Sequence, residues 1–149
     1  MAVITVFLAD DHKVMREGLS GLLEMESDFR VVGQAGDGLE TVRLVVRLKP
    51  NVLVVDLTMP GLNGLEVIRQ VKHESPKTRV LVLSMHANEA YVLEALQNGA
   101  GGYVLKEASV ADLISAIREI AAGRHYLSSP LSEHLRLSGK GQRIKSGHL

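Results

Sequence analysis

Five short apolar runs alternate with segments of helical periodicity along the first 123 residues. The runs are Ile4–Ala9, Phe29–Gly33, Val52–Leu57, Val80–Met85 and Gly102–Leu105. Four of them are almost continuously apolar, which is typical of strands buried on both faces of a parallel sheet. The segments between them repeat apolar residues at helical spacing, most regularly from Val110 to Ala121. We therefore predict an α/β fold, a doubly wound five-stranded parallel sheet with helices on both faces.

Residues that commonly start or stop helices lie at the ends of the predicted helices. Ser109 is a candidate N-cap for the fifth helix, and Gly123 follows its last apolar position. Apolar residues become sparse after this glycine, so we place one domain at residues 1–123 and a linker or tail at 124–149. Within the tail, Ser129–Pro130 could start a short helix near 130–137, because proline is favoured at the first helical position.

Composition and charge exclude several classes of protein. The 149 residues include no cysteine, which excludes a disulfide framework and any thiolate-bound metal or cluster. The first apolar run lacks a preceding basic segment, and no run reaches membrane-spanning length, so we expect a cytoplasmic protein without a membrane partner. The formal net charge of zero is the sum of two unlike parts. Residues 1–122 have 12 basic and 16 acidic side chains, a formal charge of −4, and residues 123–149 have 5 basic and 1 acidic side chain, a formal charge of +4. The basic tail is typical of a solvated linker more often than of a nucleic-acid-binding arm.

Polar and charged residues follow the predicted strands at their carboxyl ends. They are Asp10 and Asp11 after the first strand, Asp56 in the third, Ser84 in the fourth and Lys106 after the fifth. Because the carboxyl ends of parallel strands lie at one edge of the sheet, where ligands bind, we expect these side chains to converge.

Such a cluster of carboxylates needs a counter-charge. Two carboxylates about 4 Å apart repel each other by roughly 4 kcal/mol at an effective dielectric constant near 20. The site must raise a pKa, use Lys106 as counter-ion or bind a cation, and Mg²⁺ is the cation that all-oxygen acidic sites favour. A metal-neutralised aspartate beside a lysine and a hydroxyl can accept a phosphoryl group.

Each of these residues also has an ordinary structural interpretation. Asp11 could cap the first helix, Asp56 could cap a turn, Ser84 could bond to its own backbone, and Lys106 could be a solvated surface lysine. Tyr103 could be an ordinary strand residue. Their coincidence at the ends of four strands favours a functional site.

The motifs together resemble the receiver domain of bacterial two-component response regulators. The resemblance is to the LuxR/NarL/FixJ type, whose output domain is a helix-turn-helix. The matching segments are Asp10–Asp11, Asp56–Gly64, Val80–His86 and Gly99–Lys106. The resemblance implies a flavodoxin-like receiver fold with strand order 2-1-3-4-5.

The resemblance also assigns roles around a magnesium ion. Asp56 would be the phosphoacceptor and a metal ligand, together with Asp11 and the backbone carbonyl of Thr58, while Asp10 would reach Mg²⁺ through water. Thr58 and His86 would flank the entrance, and the sequence leaves open the direction in which they tune autodephosphorylation.

Further roles belong to the phosphoryl group and the switch. Ser84 and Lys106 would contact phosphoryl oxygens, and the rotamer of Tyr103 would track the position of Ser84. Pro60 and Gly64 would shape the loop after the phosphorylation site.

The implied function is a signalling switch that receives its phosphoryl group from a histidine kinase and then forms a homodimer. It is not an enzyme beyond its own phosphorylation and autodephosphorylation. DNA would be bound only through a C-terminal helix-turn-helix domain, which this chain lacks, so we expect no sequence-specific DNA binding by the chain itself.

Two other functions fit the sequence less well. A Mg²⁺-dependent aspartyl-phosphatase of the haloacid-dehalogenase type needs a second aspartate two residues after the nucleophile, at the end of the first strand. Thr58 occupies that position, and Asp56 belongs to the third strand. A flavin carrier needs a phosphate-binding loop after the first strand, where Asp10 and Asp11 would repel phosphate.

Overall fold

A computed structural model of the chain describes residues 2–85 and 88–128. The strands in this part of the chain are β1 (Ile4–Ala9), β2 (Phe29–Ala35), β3 (Val52–Val55), β4 (Arg79–Ser84), β5 (Gly102–Leu105) and β6 (Tyr126–Leu127). The helices are α1 (Lys13–Glu24), α2 (Gly38–Leu48), α3 (Gly64–Glu74), α4 (Glu89–Gln97) and α5 (Val110–Ala121). The predicted helix near 130–137 and His86 lie outside these residues.

The strands form one sheet in the order β2-β1-β3-β4-β5-β6, and each neighbouring pair is parallel. The predicted fold and its strand order 2-1-3-4-5 are thus confirmed, with a sixth strand added beside β5. The order reverses between β1 and β3, so the carboxyl ends of these strands border the crevice in which such sheets bind ligands.

Two apolar layers cover the sheet, because alternate residues of each strand face opposite sides. Phe7 and Ala9 of β1 belong to the layer under α2, α3 and α4, whereas Val6 and Leu8 belong to the layer under α1 and α5. Ser109 caps α5 as predicted, since its side chain accepts a hydrogen bond from the Asp112 amide. None of the described helices is long and apolar enough to cross a membrane.

The third strand ends earlier than its apolar run predicts. β3 stops at Val55, and Asp56 and Leu57 lie in the following loop. The reason is local, because Asp56 Oδ1 accepts a hydrogen bond from the Thr58 amide at 2.9 Å and so forms an Asx-turn. Leu57 remains buried in this loop, which explains why its hydrophobicity resembles that of a strand residue.

The sixth strand was not predicted, because two residues are too few for a periodic pattern. Leu127 is buried in the same apolar layer as Tyr103, with which it pairs across β5 and β6. Gly102 permits this pairing, since a Cβ atom there would lie 2.5 Å from the Tyr126 carbonyl oxygen. Ser128 then donates its amide to the Tyr103 carbonyl at 3.0 Å.

Candidate functional site

The sheet itself fixes the backbone of three predicted site residues. The amide of Asp10 donates to Ala35 of β2 at 3.0 Å, and the amide of Asp56 donates to Ala9 of β1 at 2.9 Å. The amide of Lys106 donates to Ser84 of β4 at 2.8 Å. Each residue is therefore the first one beyond its strand, and its side chain leaves the sheet at the edge that the sequence predicted.

Lys106 joins two of the carboxylates. Its Nζ lies 2.9 Å from Asp10 Oδ2 and 2.7 Å from Asp56 Oδ2. The Lys106 side chain is 4% exposed, and those of Asp10 and Asp56 are 9% and 2% exposed. The interpretation of Lys106 as a solvated surface residue is therefore wrong.

Burial and pairing act in opposite directions on the charges of this cluster. Burial lowers the pKa of Lys106, but hydrogen bonds to Asp10 and Asp56 outweigh burial, and the pKa is raised overall. Burial likewise raises the pKa of Asp10, but hydrogen bonds from Lys106 and His12 outweigh it and hold this pKa below its ordinary value. Lys106 and Asp10 are both ionised at neutral pH.

Asp56 has hydrogen-bond donors at both carboxylate oxygens. Oδ1 accepts from the Thr58 amide at 2.9 Å and from the Thr58 hydroxyl at 3.0 Å, while Oδ2 accepts from Lys106. The predicted capping role of Asp56 and its position in the site therefore coexist. The Thr58 carbonyl as a metal ligand stays a prediction.

Asp10 and Asp11 lie at the start of α1, with His12 beside them. His12 occupies the N-cap position, so the alternative in which Asp11 caps the helix is wrong. Asp10 Oδ1 accepts from the His12 amide at 2.9 Å, and His12 Nδ1 lies at the same distance from that oxygen. His12 is a site residue that the sequence analysis missed, and its position directly after two aspartates was the available signal.

The donor atoms of this cluster suit a divalent cation. One donor atom from each of Asp10, Asp11, His12 and Asp56 lies within 4.8 Å of the others. Among the described residues, the cluster holds three carboxylates, and the Lys106 ammonium group pairs with two of them, those of Asp10 and Asp56. The excess of negative charge suits a hard divalent ion that prefers oxygen ligands. Asp11 is the most exposed of the three carboxylates, so the open side of the cluster is the side from which a cation would enter.

Ser84 and Tyr103 form a buried pair next to the cluster. Ser84 is the last residue of β4, and both Ser84 and Tyr103 are fully buried. Burial raises the pKa of Tyr103, which is fully enclosed in the layer under α2–α4.

The loop after Asp56 is tied down at two points. The Gly64 amide donates to the Leu57 carbonyl at 3.2 Å, and the Pro60 carbonyl accepts from the Gly38 amide at 3.0 Å. The first bond joins the loop to Gly64, which is the first residue of α3, and the second joins Pro60 to Gly38, the first residue of α2.

Comparison with known proteins gives consistent matches. The family described as response regulator receiver domain matches residues 6–118. The transcriptional regulatory protein DegU of Brevibacillus brevis is 39% identical over 132 residues, which are 89% of this chain and 56% of DegU. The nitrate/nitrite response regulator protein NarL of Escherichia coli K12 is 38% identical over 139 residues, which are 93% of this chain and 64% of NarL. The chain thus spans less than two thirds of the length of these relatives.

Two solved structures have the same fold. A LuxR-family two-component response regulator from Aurantimonas sp. SI85-9A1 superposes with a TM-score of 0.88 and 34% identity, over 97% of this chain and all of that one. The isolated receiver domain of RcsB from Salmonella enterica serovar Typhimurium, solved with the phosphomimetic BeF₃⁻, has a TM-score of 0.81 and 29% identity. That match covers 88% of this chain and 97% of the RcsB chain. The chain belongs to the response regulator receiver domain family.

Proposed function

We propose that this protein is a phosphorylation-controlled switch in which Asp56 accepts a phosphoryl group from a histidine kinase. The observation that carries the proposal is the position of Asp56 beside the topological switch point, 2% exposed, with Lys106 on one carboxylate oxygen and Thr58 on the other. A buried aspartate that already faces a cation is arranged to act as a nucleophile toward a phosphoryl donor.

The residues around Asp56 divide the work of phosphoryl transfer. Asp11, Asp56 and the Thr58 carbonyl would hold Mg²⁺, with Asp10 acting through water, and the ion would supply positive charge to offset that of the phosphoryl oxygens. An oxygen of Asp56 attacks phosphorus, so that a P–O bond forms while the P–N bond to the kinase histidine breaks. Lys106, already 2.7 Å from Asp56 Oδ2, pairs with a phosphoryl oxygen.

The signal then passes to the pair formed by Ser84 and Tyr103. The phosphoryl group brings additional acceptor oxygens to the site, and one of them draws the Ser84 hydroxyl toward it. This movement favours one packing of the surface formed by α4, β5 and α5. The expected output is a change in homodimerisation.

The partners follow from the same proposal. A histidine kinase is the phosphoryl donor, and the protein works in the cytoplasm. RcsB, a relative with 29% identity and a TM-score of 0.82, has been solved as dimers bound to DNA. We propose that DNA contact by this protein requires a C-terminal helix-turn-helix domain. The phosphatase alternative is disfavoured because the Thr58 hydroxyl, which stands where that chemistry needs an acidic group, donates to Asp56.

An intact-mass measurement tests the phosphoacceptor. The protein is incubated with Mg²⁺ and a small phosphodonor such as acetyl phosphate, alongside Asp56→Asn and the control Asp112→Asn, which alters a carboxylate in the first turn of α5. We expect one added phosphoryl group on the wild type and the control, and none on Asp56→Asn. A phosphoryl group retained by Asp56→Asn, or steady release of inorganic phosphate from unrelated phosphate esters, would contradict the proposal.

A further inference from the structure

Arg16 closes the turn between β1 and α1. It lies in the first turn of α1, where its amide donates to the His12 carbonyl at 2.9 Å. Its side chain reaches back, and Nη1 donates to the backbone carbonyl of Asp10 at 2.5 Å. β1 ends at Ala9, so this carbonyl lies beyond the paired part of the strand. The charged Arg16 guanidinium therefore holds the peptide group between Asp10 and Asp11.

A second contact fixes the Arg16 guanidinium from β2. Nε donates to Gln34 Oε1 at 3.1 Å, so the planar group spans the ends of two neighbouring strands. Gly36 lies against the same group, and a Cβ atom there would lie 3.1 Å from Arg16 Nη1. Arg16 also lines, with Asp10 and Asp56, a small cavity of about 10 Å³. The guanidinium is thus packed and oriented against the inner side of the acidic cluster.

Asp11 depends on this turn more than Asp10 does. The carboxylate of Asp10 is held at both oxygens, by His12 and by Lys106. The carboxylate of Asp11 lies on the open side of the cluster and approaches the His12 ring only to 3.4 Å. Its position is therefore set by the backbone between Asp10 and His12, which is the segment that Arg16 anchors.

We infer that Arg16 is a positioning residue, which holds the Asp10–Asp11 turn in the geometry that binds a divalent cation. This inference rests on the proposed function, because it concerns the metal site of the phosphoacceptor. Loss of a group that orients metal ligands from the outer shell typically lowers metal affinity about 10- to 100-fold. We expect Arg16→Gln to weaken cation binding by about 10-fold or more, within that range.

Manganese binding tests the inference without phosphorylation. Mn²⁺ is titrated into the full chain, and free Mn²⁺ is measured by electron paramagnetic resonance for the wild type, Arg16→Gln, Arg16→Lys and Arg47→Gln. Arg47 is an exposed arginine in the last turn of α2, so its replacement removes the same charge at the opposite edge of the sheet. We expect unchanged affinity for Arg47→Gln. Arg16→Lys should restore part of the affinity, because one ammonium reaches the Asp10 carbonyl but cannot also bind Gln34.

Gly36→Ala provides an independent variant with Arg16 intact. The added methyl group crowds Nη1, so we expect it to weaken Mn²⁺ binding in the wild-type background and to have little effect in Arg16→Gln. Equal effects of Gly36→Ala in both backgrounds would overturn the inference.

The outcomes separate this inference from the function on which it rests. If the wild type binds Mn²⁺ and Arg16→Gln binds it with the same affinity, the role of Arg16 is overturned. The proposal that Asp56 is the phosphoacceptor is not affected by that result. A second outcome also overturns the inference. If Arg16→Gln and Arg16→Lys weaken Mn²⁺ binding equally, and both lower the metal-free unfolding midpoint by the same amount, then Arg16 acts only on stability. A wild type that binds no Mn²⁺ contradicts the proposed metal site itself.

Discussion

Replacing Lys106 with methionine removes an ammonium group that contacts both buried carboxylates, and it keeps most of the side-chain volume. At separations of 2.7 and 2.9 Å, each ion pair has a gross attraction of roughly 6 kcal/mol at an effective dielectric constant near 20. Most of this attraction offsets the cost of burying the charges. Breaking a buried pair while leaving its partner in place typically costs about 3–5 kcal/mol. We therefore expect Lys106→Met to lose about 3–5 kcal/mol of unfolding free energy in metal-free buffer.

Magnesium should restore much of this loss, because a divalent cation bound to the three carboxylates replaces the missing positive charge. Urea unfolding is measured with EDTA and with saturating Mg²⁺ for the wild type, Lys106→Met and the exposed control Lys77→Met. The gain from Mg²⁺ should be larger for Lys106→Met than for either of the others. In an Asp56→Asn background the cost of removing Lys106 should be smaller, since only Asp10 then remains as an unpaired carboxylate. A cost below about 1 kcal/mol in EDTA, within the range of an exposed ion pair, would refute the reasoning.

Two further predictions concern residues away from the cluster. Ser128→Ala removes the hydroxyl oxygen that accepts the Leu105 amide at 3.0 Å, and an unsatisfied buried amide should cost about 1–3 kcal/mol in urea unfolding and speed hydrogen exchange at Leu105. Arg118 holds the pKa of Asp28 below its ordinary value through a side-chain hydrogen bond, so this pair contributes stability above pH about 4 that is lost as the pH falls through the folded-state pKa of Asp28. Because Arg118 is half-exposed, Arg118→Gln should be less stable than the wild type by up to about 1 kcal/mol at pH 7, and the two unfolding curves should converge near pH 2. A difference that persists at pH 2 would mean that Arg118 stabilises the protein through its packing on the Phe29 ring rather than through Asp28.

The sequence was sufficient for the fold and for the edge at which the site lies. Alternating buried strands and amphipathic helices predict the doubly wound sheet, and charged residues directly after Ala9, Val55 and Leu105 converge because the strands are parallel. The exact end of β3 was not predictable from hydrophobicity, because Leu57 is buried although it lies in a loop.

Residues that act through a neighbour were harder to find than residues that act directly. His12 and Arg16 follow the aspartate pair by one and five positions. The position of His12 directly after the pair was a signal, whereas a single sequence gives no sign that the Arg16 side chain turns back toward Asp10. In the structure these contacts arise because α1 begins at Lys13, which places both side chains within reach of the end of β1. The two-residue strand β6 was missed for a different reason. Its pairing with β5 depends on the absence of a side chain at Gly102, where a Cβ atom would lie 2.5 Å from the Tyr126 carbonyl oxygen.

The hydrogen bonds at the strand ends limit how the backbone of this domain can move. The amides of Asp10, Asp56 and Lys106 each donate to a carbonyl at the carboxyl end of a neighbouring strand. Moving any of these backbones would therefore break a bond of the sheet ladder and leave a buried group without a partner, at a cost of about 1–3 kcal/mol for each group. Side-chain movements do not carry this cost. Under the proposed function, the backbone at Asp56 therefore stays in place, and the first response to a phosphoryl group is carried by the side chains of the site.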